Sequence, residues 1–138
     1  MLATGSCLLP ESTEAMSWRV GDYGFEMTLS AAVPERIAQS LRGWLTGWLE
    51  RYGVSLDGVA NWAIHPGGPR IVGAVAEALG LPASATDASR AVLAEYGNMS
   101  SPTVLFVLRR LQQSGATGPT VLLAFGPGLT AEAALVHL

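Results

Sequence analysis

Two polar side chains stand where an α/β fold puts its chemistry. His65 follows the short apolar run Asn61–Ile64, and Asn98 sits in the turn Gly97-Asn98-Met99. An imidazole titrates near neutral pH, so it can act as acid, base or neutral donor. Each residue comes shortly before an expected helix start, at Pro69 and at Ser100 or Ser101. Helix N-termini present unpaired N–H groups and partial positive charge, so developing negative charge is stabilised there. Taken singly, both residues have plainer readings. A His ahead of Pro-Gly-Gly is more often a loop residue than a catalytic one. Asn in such a turn is commonly there because it tolerates left-handed backbone. Gly126-Pro127-Gly128 is most simply a turn. Cys7, on an apolar run closed by Pro10, reads as a buried inert thiol rather than a nucleophile. His137 has no neighbour that suggests a role. Spacing alone does not carry a function.

The elements needed to position these groups follow from periodicity. Ser6–Leu9 reads as a strand, and Trp18–Val20 and Phe25–Leu29 as a hairpin around Gly21-Asp22-Tyr23-Gly24. Pro34 opens the clearest helix, with Ile37, Leu41, Trp44, Leu45, Trp48, Leu49 and Tyr52 on one apolar face and Gly53 just past its end. Gly43 and Gly47, four apart on it, are either a close-approach face for another backbone or chance small residues. Asn61–Ile64 is a strand, Pro69 to Leu79 a helix ended by Gly80 and Pro82, and Ala88–Tyr96 a short helix. A last helix, capped by Ser100 or Ser101 with Pro102 in its first turn, buries Val104, Leu105, Leu108 and Leu111. Thr120–Phe125 and Leu129–Leu138 are strands. Strands alternating with helices predict an α/β layer in which helices cover a sheet, mixed because of the terminal strand pair and the early hairpin.

Composition limits the function classes. The 138 residues suit one domain, 1–138, with a real core. The apolar share is 49% against 14% charged, so the surface is expected to carry apolar area suited to a partner. All 8 basic residues are Arg, and against 11 acidic groups they leave a net charge of -3 without basic clusters, which argues against nucleic acid. No apolar run approaches the ~18 residues of a membrane helix. A single cysteine excludes an internal disulfide and disfavours a cysteine-based metal site. The opening through Cys7 has a lipoprotein-like flavour but no basic n-region, and a cytoplasmic chain is expected.

Three stretches in order give a closer likeness: Trp62-Ala63-Ile64-His65-Pro66-Gly67-Gly68-Pro69, Glu95-Tyr96-Gly97-Asn98-Met99-Ser100-Ser101 and Ala124-Phe125-Gly126-Pro127-Gly128-Leu129-Thr130. Together they resemble the C-terminal half of type III polyketide synthases, the chalcone and stilbene synthase family. Leu9-Pro10-Glu11-Ser12 and Ala134-Leu135-Val136-His137 resemble it too. Ketoacyl synthases of fatty acid synthesis carry His-Gln-Ala-Asn and Gly-Asn-Thr-Ser instead, so Pro-Gly-Gly after His65 favours the polyketide branch.

The resemblance implies the C-terminal half of a thiolase fold working as a homodimer. It also implies decarboxylative condensation of malonyl-CoA onto a starter acyl-CoA, without metal or other cofactor. It gives His65 and Asn98 the catalytic His and Asn roles and leaves the nucleophilic Cys to an N-terminal half; Cys7 does not align with that Cys. Met27 falls at a gatekeeper aromatic of plant chalcone synthases, a departure that bears on pocket shape. Ala124 replaces the first Gly of a cavity-lining loop that continues through Phe125, Gly126 and Pro127. Gly67, Gly68 and Arg70 fall along the CoA tunnel, where Arg70 meets a phosphate or simply solvent. Ser100 falls on the cyclisation pocket. By this reading the domain alone does not condense acyl groups. The alternative is a non-catalytic remnant that binds a ligand or dimerises.

Overall fold

The computed structural model describes residues 2–138; Met1, the first residue of the lipoprotein-like opening, lies outside the described residues. Six strands and four helices run in the order β1 (Ala3–Leu8), β2 (Met16–Gly21), β3 (Gly24–Leu29), α1 (Val33–Glu50), β4 (Asn61–Ile64), α2 (Pro69–Leu79), α3 (Asp87–Tyr96), α4 (Thr103–Gln113), β5 (Pro119–Gly126) and β6 (Thr130–His137). Four strands form one sheet in the order β1-β6-β5-β4. β4 and β5 are parallel, while β5–β6 and β6–β1 are antiparallel. The sheet is therefore mixed, as expected, but the hairpin is not the reason. β2 and β3 pair only with each other in a separate sheet.

Alternation along the strands divides the core into two layers, one on each face of the sheet. Trp62, Ile64, Val121, Leu123, Ala133 and Leu135 pack on one face with Ile37, Leu41, Leu45 and Leu49 of α1 and Val75 and Leu79 of α2. Ala63 and Leu122 point the other way, into a smaller cluster with Val92 of α3 and Val107 of α4. The result is a helix–sheet–helix sandwich, and α1 is its main lid. Its buried residues Ile37, Leu41, Leu45, Trp48 and Leu49 fall on the apolar stripe read from the sequence, and Val33 joins them ahead of Pro34. Tyr52 lies beyond the helix end and is exposed. The Gly43/Gly47 alternative also resolves, because no atom lies within 4 Å of a Cβ placed on either glycine. They form no close-approach face.

Glycine is required at two places. Gly80 closes α2 at φ 67°; its N–H donates to Glu77 O (3.1 Å), and Leu81 N–H reaches back to Ala76 O (2.8 Å). This left-handed cap satisfies carbonyls that the helix leaves open. Gly5 on β1 makes room for α1: a Cβ there would overlap the Trp48 indole, whose Nε1–H donates to Thr4 O (3.2 Å).

The start of α4 corrects the expected cap. Neither serine caps it; the helix begins at Thr103 behind Pro102 with no side-chain cap. The buried positions are Thr103 and Val107, with Val104, Leu108 and Leu111 partly covered, whereas Leu105 is 58% exposed. The stripe runs through Thr103, Val104, Val107, Leu108 and Leu111, which leaves Leu105 and Phe106 outside it.

Candidate active site at the ends of β4 and α3

β4 is short because Pro66 cannot continue the ladder. The last bond there is His65 N–H to Leu123 O, 2.7 Å, which anchors the His65 backbone to the C-terminal end of β5. The opposite edge of β4 has no strand. Ile64 N–H is instead met by the buried Ser89 Oγ from α3, at 3.2 Å. Alternation puts the His65 side chain on the face of Ala63 and therefore on the side of α3 and α4. Gly67 N–H folds back to His65 O (3.0 Å), and α2 begins two residues later.

On that side the carboxamide of Asn98, between α3 and α4, approaches. Its Nδ2 donates to Gly67 O at 3.4 Å, and its Oδ1 accepts from Ser100 N–H at 2.9 Å. Gly67 is the meeting point: a Cβ on it would stand 3.8 Å from His65 Nε2. So the two residues, more than thirty positions apart in the chain, share one small neighbourhood around a glycine with no side chain to separate them.

The two nitrogens of His65 differ. Nδ1 is buried and has no hydrogen-bond partner among the described residues. Burial also pushes the imidazole below its ordinary pKa, so the ring is held neutral at pH 7. A buried N–H without an acceptor costs more than a buried lone pair without a donor. The neutral proton is therefore assigned to Nε2, on the side facing Gly67. Asn98, exposed, adds a second neutral donor. Both are neutral N–H donors beside Gly67, a kind of group that suits an oxygen on which negative charge develops.

The other expected site residues divide into those near this cradle and those held elsewhere. Gly68 immediately precedes α2 with φ 172°, ordinary extended backbone. Ser100 is joined to Asn98 through its backbone and takes φ 66°. Ala124, Phe125 and Gly126 form the end of β5, next to His65 through the Leu123 bond, and Pro127 is exposed in the turn. A Cβ at Gly126 would crowd Thr130 Oγ1 at 3.1 Å. Arg70 is exposed and donates to Ala31 O (3.3 Å) ahead of α1. Met27 lies on the hairpin, 59% exposed. Cys7 is on β1, and burial raises its thiol pKa, which disfavours a nucleophilic thiolate. Ser89 and Thr103 are the residues that sequence reasoning missed. Each is a buried hydroxyl on a helix, with nothing in the local pattern to reveal which backbone group it meets.

Two recesses lie elsewhere. One of about 320 Å³ is lined by Glu11, Glu14, Ser30 and Arg36, and one of about 230 Å³ by Trp62, Leu79 and Leu81 among others. Neither includes His65, Gly67 or Asn98. His65 and Asn98 instead meet at the turn of Gly67, away from both recesses. Among the described residues there is no cluster of three His, Cys, Asp or Glu able to hold a metal, and no helix is long and apolar enough to cross a membrane.

Residues 1–138 match the family described as chalcone and stilbene synthases, C-terminal domain. The chain belongs to the chalcone and stilbene synthase family. It is 39% identical over 138 residues to 1,3,6,8-tetrahydroxynaphthalene synthase from Streptomyces peucetius subsp. caesius, covering 98% of this chain and 37% of that protein. Its fold superposes with a TM-score of 0.91 on the crystal structure of PKS-I from the brown alga Ectocarpus siliculosus, at 32% identity, covering 96% of this chain and 38% of that one. The chain thus spans less than two fifths of the length of these relatives. Its architecture is that of the C-terminal domain of a chalcone and stilbene synthase, a thiolase-like half.

Proposed function

We propose that this domain supplies the oxyanion-stabilising half of a type III polyketide synthase active site, acting on malonyl-CoA and a starter acyl-CoA. The observation that carries the reading is the convergence of His65 and Asn98 on Gly67 (Asn98 Nδ2 to Gly67 O 3.4 Å). A cysteine thiolate from a Cys-bearing N-terminal half attacks the starter thioester, forming a new C–S bond and releasing the CoA thiolate. Malonyl-CoA then loses carbon dioxide, and the electrons of the broken C–C bond move onto the thioester oxygen as an enolate. Nε2–H of His65 and Nδ2–H of Asn98 donate to that oxygen, each giving more to the enolate than to the neutral carbonyl. The enolate carbon attacks the acyl-cysteine, forming a C–C bond and returning the thiolate.

The hairpin fits this arrangement. Trp18 pairs with Met27 and Val20 with Phe25, so these four side chains share one face. That face is exposed here. Covered by a Cys-bearing half, it becomes the wall of an acyl-chain tunnel with Met27 in it, and homodimerisation completes the assembly.

The test combines this chain with an N-terminal half that carries the cysteine and follows carbon dioxide release from malonyl-CoA. Release is expected, with a loss of about 10²–10³-fold for His65→Ala or for Asn98→Ala. Release unchanged by both substitutions would overturn the roles. Malonyl-CoA binding without release, in every such combination, would favour a ligand-binding module instead.

A further inference from the structure

We propose that Thr103 is a positioning residue for Asn98, holding the carboxamide with its oxygen against Ser100 and its nitrogen toward Gly67 in the turn that follows His65. The inference takes its catalytic meaning from the donor role given to Asn98 above. Thr103 is fully buried at the first position of α4. Its Oγ1 accepts from Met99 N–H at 2.8 Å and donates to Ser100 O at 2.8 Å, and its own N–H also donates to Ser100 O, at 3.0 Å. One hydroxyl therefore uses both its donor and its acceptor capacity on the two residues that follow Asn98.

The consequence passes through Ser100. With Met99 N–H and Ser100 C=O both held, the peptide between them has a fixed orientation. Ser100 is kept at φ 66°, a region that a residue with a side chain occupies only when its surroundings enforce it. In that conformation its N–H meets Asn98 Oδ1 at 2.9 Å. A flipped carboxamide would set N–H2 against the Ser100 N–H and oxygen against the Gly67 carbonyl, two repulsive contacts in place of two hydrogen bonds. The lock thus decides which end of Asn98 faces Gly67. At 3.4 Å the Gly67 contact is long, so an Nδ2 proton remains available to an incoming oxygen.

Thr103→Val keeps the shape of the side chain and removes the hydroxyl, while Thr103→Ser keeps the hydroxyl. In the isotope-labelled chain, amide NMR should show the Asn98 side-chain N–H2 resonances displaced in Thr103→Val. Met99 and Ser100 amides should exchange about tenfold faster, the size expected for loss of one net hydrogen bond. Val92 and Val107 amides should keep their protection, and Thr103→Ser should match the parent chain. Unmoved Asn98 resonances in Thr103→Val would overturn the proposal. So would protection lost throughout α3 and α4, which marks a merely structural residue. This measurement needs no turnover, so it can fail or succeed independently of the catalytic reading. In the reconstituted enzyme, Thr103→Val should lower kcat for carbon dioxide release with KM unchanged and Thr103→Ser should restore it; a change in KM alone would overturn the link to Asn98.

Discussion

His65 carries one nitrogen into a buried, unpartnered position and turns the other toward Gly67. Burial lowers its folded-state pKa below the ordinary 6.5 of the unfolded chain. The sign of the linkage follows: as pH falls, the unfolded chain takes up a proton before the folded one does. Stability is therefore intact above the unfolded value and declines as pH falls through about 6.5 toward the folded value. Urea midpoints of the parent chain and His65→Gln should run parallel above neutrality and diverge below it, the parent falling more steeply. Parallel curves down to pH 5 would contradict the buried environment assigned to the ring. The identities of His65 and Asn98 could be picked out from the sequence because both fall where strands or helices give way to helix starts. Their partners could not. The contact from Asn98 to Gly67 spans 31 residues, and no local pattern encodes it.

Among the elements, β4 is the one that delivers His65, and its free edge is the vulnerable point. Ser89 Oγ from α3 meets Ile64 N–H there inside the core. Ser89→Ala leaves that donor buried and unpaired, so unfolding free energy should drop by about 1–3 kcal/mol. A denaturant titration monitored by tryptophan fluorescence measures it; a midpoint equal to that of the parent chain would mean that the β4 edge needs no such support. The strand Asn61–Ile64 and the helix from Pro69 to Leu79 were readable to the residue, because Pro and Gly mark their boundaries. α4 was readable as a helix but not in its start. Two serines before a proline look like a cap, yet the helix begins at Thr103, and its buried positions are Thr103 and Val107 rather than Leu105. Leu105 and Phe106 are as apolar as their neighbours, so packing against α3 and β4 decides which residues belong to the stripe.

At the scale of the whole molecule, the apolar excess of the composition reappears as a definite surface. Trp18, Val20, Phe25 and Met27 line one face of a hairpin that lies outside the main sheet, while Arg19 and Glu26 pair across the other at 2.8 Å. An isolated two-stranded ribbon with an uncovered apolar face is marginal by itself. In sedimentation experiments at rising concentration, the chain should associate with itself. Trp18→Ser combined with Phe25→Ser should suppress that association without altering the far-ultraviolet circular dichroism. Association undiminished in the double variant would move the sticky surface elsewhere.

The sequence by itself determined the alternation of strands and helices, the amphipathic stripe of α1, the glycine and proline boundaries, and the family, through three motifs spaced along the chain. Each of these is a local property, set by residue type and short-range periodicity. Only the tertiary structure decided that the hairpin leaves the main sheet, that Thr103 rather than a serine holds the loop of Asn98, and that Asn98 meets the His65 turn at Gly67. Those outcomes depend on contacts between distant segments. Such contacts form only when the parallel pairing of β4 with β5 brings α3 and α4 over the end of the strand that carries His65.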